Sequence, residues 1–272
     1  MGFNQPFRAL ASDLDGTLLN VHHYVGDFTI ETLQRLERQG VDIVLATGRS
    51  QPDVAGIIKR MGLKRGVMIT SNGARIHDIN GNSLYAQFLP QAAARALVSL
   101  PYDAQNVVMN TYQNGQWFIS QAVPEFECYF KDSGYSYTVV DFAEHDLSAC
   151  EKVFFIAREP EFLEPIERQA RKQLGESISV THSGPRCVEF MQHGVSKATA
   201  LAALLEQRDY TLSDCISFGD GLNDLAMLQE VGRGCVMGNA DPRLKAQAGG
   251  LEVIGTNANE SVAAYLRALF GV

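Results

Sequence analysis

Short apolar runs alternate with amphipathic segments through the first third of the chain, a rhythm that commits it to βα units and a parallel sheet. Residues 8–12 read as a buried strand that ends at Asp13. Ile30, Leu33 and Leu36 recur at helical spacing behind an acidic start at Asp27, and Gly40 stands where a helix C-terminal glycine belongs. Residues 41–46 form the second strand, followed by Thr47-Gly48-Arg49. A helix comes next, with Pro52 in its first turn and Val54, Ile57, Ile58 and Met61 on one face up to Gly62. Residues 66–70 are the third strand.

The rhythm breaks after Asn72. Asn80-Gly81 and Asn114-Gly115 are hairpin signals that predict antiparallel pairing, the second flanked by Trp117, Phe118 and Ile119. Helical patterns over 91–100 and 161–174 interleave with strand-like stretches at 137–140, 153–157 and 178–181, so the middle reads as an α+β module. From about Gly194 the βα rhythm returns: a helix from Lys197 through Leu205, a strand at 215–218, a helix at 223–231 and a strand at 234–237. The expected architecture is α/β: a Rossmann-like core with a parallel sheet, residues 1–84 and 188–272, split by an inserted α+β domain at 85–187.

Composition narrows the function. With 46% apolar residues the 272-residue chain can bury full cores, and disorder is excluded. Thirty-one acidic against 23 basic residues give a net charge of −8, which offers nucleic acid and anionic lipid no bulk attraction. No apolar run approaches the roughly 18 residues of a membrane span, and no signal peptide is visible, so a cytoplasmic protein is expected. The five cysteines form no CxxC pair and are expected as reduced thiols; the six histidines show no HxH or HxxxH spacing, so no zinc site is expected.

The chemistry sits at strand ends. Asp13-Leu14-Asp15-Gly16-Thr17 follows the first strand, on the carboxyl edge where open parallel sheets bind ligands. Gly16 permits an immediate turn, so Asp13 and Asp15 can address one small volume. A calcium loop fails on register, because counting from Asp13 puts Gly16 at the fourth position and Tyr24 at the twelfth. Ordinary turn chemistry is the plain alternative. Thr47-Gly48-Arg49 ends the second strand and Gly219-Asp220-Gly221-Leu222-Asn223-Asp224 another, so three strand ends deliver polar groups to one edge, with Lys197 opening a helix between them.

These residues resemble the haloacid dehalogenase-like phosphatases, whose four motifs appear in order: Asp13 to Thr17, Thr47, Lys197, and Asp220 with Asn223 and Asp224. Lys197 lies 150 residues after Thr47, room for a large type IIB cap as in the Cof-type subfamily, whose Ser71-Asn72-Gly73-Ala74 and Met237-Gly238-Asn239-Ala240 are also matched. Within it the chain looks most like small bacterial pyridoxal-phosphate and sugar-phosphate phosphatases. The resemblance implies a Mg²⁺-dependent hydrolase of small phosphorylated metabolites. Asp13 would be the nucleophile, forming an aspartyl phosphate; Asp15 would protonate the leaving alkoxide, activate water and lend its backbone carbonyl to the metal. Asp220 would be a further metal ligand, with Asp224 a candidate for that role. Lys197, the Thr47 hydroxyl and amides near Leu14 and Gly48 would stabilise phosphoryl charge, and Asn223 would position phosphate or Lys197.

Each assignment has a plain alternative. Arg49 and Asn72 are expected to bind substrate or phosphate, Arg49 or Arg75 by their place beside the motifs; Lys197 could instead be a solvated helix lysine, Thr47 a helix cap, and Arg49, Asn72 and Asn239 bystanders. Trp117, Phe118, Phe126, Tyr129 and Phe130 read as cap core rather than a substrate clamp, and His22 and His23 as solvent-facing. Rival functions are a phosphomutase or phosphotransferase using the same Asp13, and a non-catalytic phospho-Asp signalling module, against which the intact Asp15 argues. A monomer or weak homodimer is expected.

Overall fold

The computed structural model describes residues 5–126 and 135–272; Cys128, Tyr129 and Phe130 lie outside them. Fourteen strands are described. In chain order they are β1 (Ala9–Ser12), β2 (Asp42–Ala46), β3 (Gly66–Thr70), β4 (Arg75–Asp78), β5 (Ser83–Ala86), β6 (Val107–Gln113), β7 (Gln116–Ile119), β8 (Tyr137–Val139), β9 (Cys150–Ala157), β10 (Ile178–Gly184), β11 (Cys187–Gln192), β12 (Cys215–Gly219), β13 (Arg233–Val236) and β14 (Glu252–Val253).

Eight of them form one sheet in the order β14-β13-β12-β1-β2-β3-β4-β5. The first six are parallel; the turn at Ser71–Gly73 sends β4 back antiparallel to β3, and the Asn80-Gly81 turn folds β5 back against β4. The central parallel strands β1, β2, β3 and β12 are mostly apolar because they are buried on both faces. Leu10 packs with the helices Asp27–Arg38, Gln51–Met61 and Ser261–Phe270, while its neighbours Ala9 and Ala11 pack with the helix Lys197–Glu206. One strand thus serves two cores by its alternation.

The other sheet runs β10-β11-β9-β6-β7-β8, antiparallel except for β7 beside β8. One face carries Met109, Val153, Phe155, Val188 and Phe190 against the helices Gln91–Val98 and Glu164–Leu174. The opposite face carries Tyr112, Lys152, Phe154, Ile156 and Glu189, which line a cavity shared with the ends of β1 and β2.

Three expectations are corrected. Boundaries at 84/85 and 187/188 would cut β5 and β11, both continuous in their sheets, so the chain leaves the eight-stranded sheet after Ala86 and the other sheet after Gln192. The helix expected from 161 starts later, as a 3₁₀ turn at Pro160–Phe162 followed by the helix Glu164–Leu174, with Pro165 in its first turn. The strand expected at 153–157 begins at Cys150, and β11 has no counterpart in the sequence reading. Among the described residues no helix is long and apolar enough to cross a membrane.

Candidate active site

The ends of β1, β2, β3 and β12 meet at one edge. Asp13 keeps extended backbone, its N–H held by the Phe218 carbonyl at 3.0 Å, and the chain then turns sharply through Leu14–Leu18. Gly16 makes the turn at φ 76°, and any side chain there would run into the Asp220 carboxylate. Thr17 Oγ1 donates to Asp220 Oδ1 at 2.7 Å, tying the first motif to the last.

Lys197 enters from the helix it opens. Ser196 and Thr199 cap that helix reciprocally, Thr199 N donating to Ser196 Oγ at 3.1 Å and Ser196 N to Thr199 Oγ1 at 3.0 Å, which fixes where Lys197 departs. Its side chain is wholly buried, and Nζ donates to Asp13 Oδ1 at 2.6 Å and to Asp224 Oδ1 at 2.7 Å. Asp224 Oδ2 accepts from the Asp220 and Gly221 N–H groups at 3.0 and 2.9 Å. Both Asp224 oxygens are therefore engaged in shaping the loop and holding Lys197.

Burial pushes the Asp13 carboxyl well above the ordinary range; Lys197 opposes the rise, and Asp224, Asp220 and Asp15 reinforce it. Burial likewise lifts Asp220 to about 7, with Asp224 adding to the rise. Burial alone would lower the Lys197 ammonium, but the attraction of Asp13 and Asp224 outweighs it and the net shift is upward. Three carboxylates, Asp13, Asp220 and Asp224, come within 4.8 Å of one another through their oxygens. Lys197 is the cation that bonds two of them. Among the described residues no donor reaches Asp13 Oδ2 or Asp220 Oδ2. Two free hard oxygens in a cluster with surplus negative charge fit a divalent cation such as Mg²⁺.

Other candidates are placed differently. Asp15 turns from the cluster into a bidentate pair with Arg49, whose Nε and Nη2 donate to its oxygens at 2.7 and 2.6 Å, while Nη1 reaches Asp53 at 3.1 Å. Both Asp15 and Arg49 line the cavity. Thr47 is buried there too, its Oγ1 accepting from Arg49 N at 3.1 Å, so it also stiffens the turn. The Leu14 side chain belongs to the core, which leaves only its backbone to face a ligand. Asn223 donates to Asn72 Oδ1 at 3.0 Å. Arg75 is corrected: it pairs with Glu151 of β9 at 3.0 Å and does not line the cavity. Asn239 braces the first motif, donating to Gly16 O at 2.7 Å. His22 and His23 are exposed, but His23 borders the cavity with Nδ1 4.0 Å from Asp15.

Sequence reasoning missed the opposite wall, made by Tyr112, Lys152, Phe154 and Glu189. The available signal was charge inside a strand: Glu151-Lys152 directly ahead of an apolar run, and Glu189 between Val188 and Phe190. The cavity holds about 950 Å³. Trp117 sits behind this wall, stacked on Phe126 at 5.7 Å and edge-on to Tyr112 at 6.1 Å, which is structural support.

A buried lysine thus bridges Asp13, at the end of β1, and Asp224, in the turn after β12. The chain belongs to the haloacid dehalogenase-like hydrolases, whose sequence pattern matches residues 10–266. It is a Cof-type phosphatase by its relatives. A Haemophilus influenzae protein given provisionally as a phosphatase is 50% identical over 269 residues, covering 99% of each chain. An HMP-PP phosphatase of Yersinia pestis is 36% identical over 260 residues, 96% of this chain and 94% of its own. Among solved structures, a haloacid dehalogenase-like hydrolase of Bacillus subtilis superposes with a TM-score of 0.84 at 26% identity, over 97% of this chain and all of that one.

Proposed function

We propose that this phosphatase hydrolyses small phosphate monoesters with Mg²⁺, through an aspartyl phosphate on Asp13. The observation that carries the reading is the Asp13 carboxylate, held by Lys197 through one oxygen while the other lies free beside Asp220 at the cavity floor. Asp13, Asp220 and the Asp15 backbone carbonyl would hold the metal, which when bound screens the repulsion between a carboxylate and a phosphate dianion.

Asp13 attacks phosphorus, and Lys197 and the Gly48 N–H neutralise charge on the phosphoryl oxygens. Asp15, once Arg49 yields it and it has taken a proton from solvent, gives that proton to the departing alkoxide and, left as the carboxylate, takes one from the water that hydrolyses the acyl phosphate. The opposing sheet covers the site and limits water.

The leaving group would lie against Tyr112, Phe154, Val108 and Ile156, an apolar wall suited to a planar ring. Pyridoxal phosphate is therefore the first substrate to try, with sugar phosphates next. The Yersinia relatives, given as HMP-PP phosphatases, support a small phosphorylated substrate. A monomer or weak homodimer accords with the net charge of −8, which opposes self-association.

The test is phosphate release from pyridoxal phosphate and p-nitrophenyl phosphate, with Mg²⁺ and with EDTA, in wild type and Asp13→Asn. Metal-dependent release lost in the variant is expected. Unchanged release in Asp13→Asn, or release unaffected by EDTA, would defeat the reading.

A further inference from the structure

Lys152 on β9 and Glu189 on β11 are sealed from solvent, with 2% and 3% of their side chains exposed, and they pair at 2.6 Å. Both belong to the sheet opposite the catalytic loops. Lys152 Nζ also donates to the Gly48 carbonyl at 2.8 Å and rests over the rings of Tyr112 and Phe154, 4.7 and 4.5 Å from their centroids. Glu189 divides its oxygens: Oε1 takes Lys152, and Oε2 takes Asn72 Nδ2. Asn72 in turn accepts from Asn223, in the loop between Asp220 and Asp224.

Stability does not explain this pair. A buried ion pair rarely outperforms apolar side chains of the same volume, and the neighbours on these strands are Val153, Phe154, Val188 and Phe190. Its bonds go instead to the two loops that present the phosphate-facing groups. Those loops are already joined by Ser71 N to Arg49 O at 2.8 Å and Asn72 N to Thr47 O at 3.0 Å. Lys152 and Glu189 clamp that joint from the cap side, one on each loop. Lys152 occupies the Gly48 carbonyl, whereas among the described residues nothing accepts from the Gly48 N–H. A methyl at position 48 would stand 3.1 Å from Asn72 Oδ1, a tight contact, so glycine eases the close approach of the two loops.

We infer that Lys152 and Glu189 are positioning residues for phosphoryl transfer: acting through Gly48 and Asn72, they fix the phosphate cradle of the core only while the cap is docked. The cradle is then complete when the cavity is closed and loosened when it opens, which couples capping to chemistry. The inference rests on the reading that the phosphoryl group sits above Asp13.

The experiment compares Lys152→Met, Glu189→Gln and the double variant, with Asp13→Asn as reference. It reads kcat and KM for p-nitrophenyl phosphate with Mg²⁺, inhibition by orthovanadate, and the urea midpoint. Each single variant leaves a buried partner unmatched and should lower the midpoint; the double variant should recover most of it. All three should lose kcat by about 10- to 100-fold, with KM changed less, and be inhibited more weakly by orthovanadate. Lys152→Arg, which keeps a donor for Gly48, should restore part of kcat. A double variant that recovers kcat and orthovanadate inhibition along with its midpoint would show a merely structural pair and overturn the inference. Single variants that lose stability but keep kcat would overturn it too. Wild-type turnover in Asp13→Asn would instead remove the reading beneath it, whatever the cap variants do.

Discussion

Asp220 and Asp224 stand four residues apart in one motif, and the geometry gives them different jobs that a pair of substitutions separates. Three donors converge on Asp224: Lys197 Nζ at 2.7 Å and the N–H groups of Asp220 and Gly221 at 3.0 and 2.9 Å. An asparagine there offers one oxygen and one NH₂. Whichever way it sits, at least one buried donor faces another donor, at roughly 1–3 kcal/mol, more where the donor is charged. Weakening a buried pair on Lys197 brings the expected loss to about 3–5 kcal/mol. Asp220→Asn keeps the oxygen that accepts from Thr17 and removes one charge from a cluster with surplus negative charge. Its metal-free stability should be unchanged or higher, but its Mg²⁺ half-saturation should rise at least about tenfold. Urea unfolding in EDTA and phosphate release against Mg²⁺ concentration read the two effects. The reasoning fails if Asp224→Asn stays within about 1 kcal/mol of wild type, or if it weakens metal dependence as much as Asp220→Asn.

Three further outcomes are expected. His77 is buried with Nδ1 unpartnered, and burial, reinforced by Arg75 and opposed by Asp78, lowers its pKa from 6.5 to about 4. The unfolded chain then binds the proton first, so stability falls as pH drops through that window, by up to about 3 kcal/mol; His77→Phe should flatten the urea midpoint against pH. Glu260 supplies the cap that Gly26 cannot, accepting from Thr29 N and Oγ1 at 2.9 and 2.7 Å, so Glu260→Ala should cost about 1–2 kcal/mol in urea unfolding with kcat unchanged. Arg49→Ala removes the bidentate hold that Asp15 must leave before it acts as acid, so kcat for an alkyl phosphate should rise by about tenfold relative to kcat for p-nitrophenyl phosphate, whose leaving group needs no acid.

The part of the site carried by βα units was legible because its signal is local: an apolar run stops and a polar motif begins at Asp13, Thr47 and Asp220. Lys197 was legible for the same reason, as the first residue of a helix. The cap wall was not. Glu151, Lys152 and Glu189 break the apolar pattern of β9 and β11, so β9 was read from residue 153 and β11 was missed. These charges are buried only because Gly48, Ser71, Asn72 and Arg75, far away in sequence, supply their partners. Arg49 was legible as a neighbour of the site, but its pairing with Asp15 depends on rotamers that spacing does not encode.

The central claim is that phosphorus undergoes two displacements, the first by Asp13 and the second by water. The stereochemical course at phosphorus, followed with an isotopically chiral phosphate ester and an acceptor alcohol, or with an isotopically chiral thiophosphate ester and labelled water, tests it most directly. Two in-line displacements invert twice, and the account predicts net retention of configuration. Net inversion would mean a single direct attack by water and would contradict the role given to Asp13.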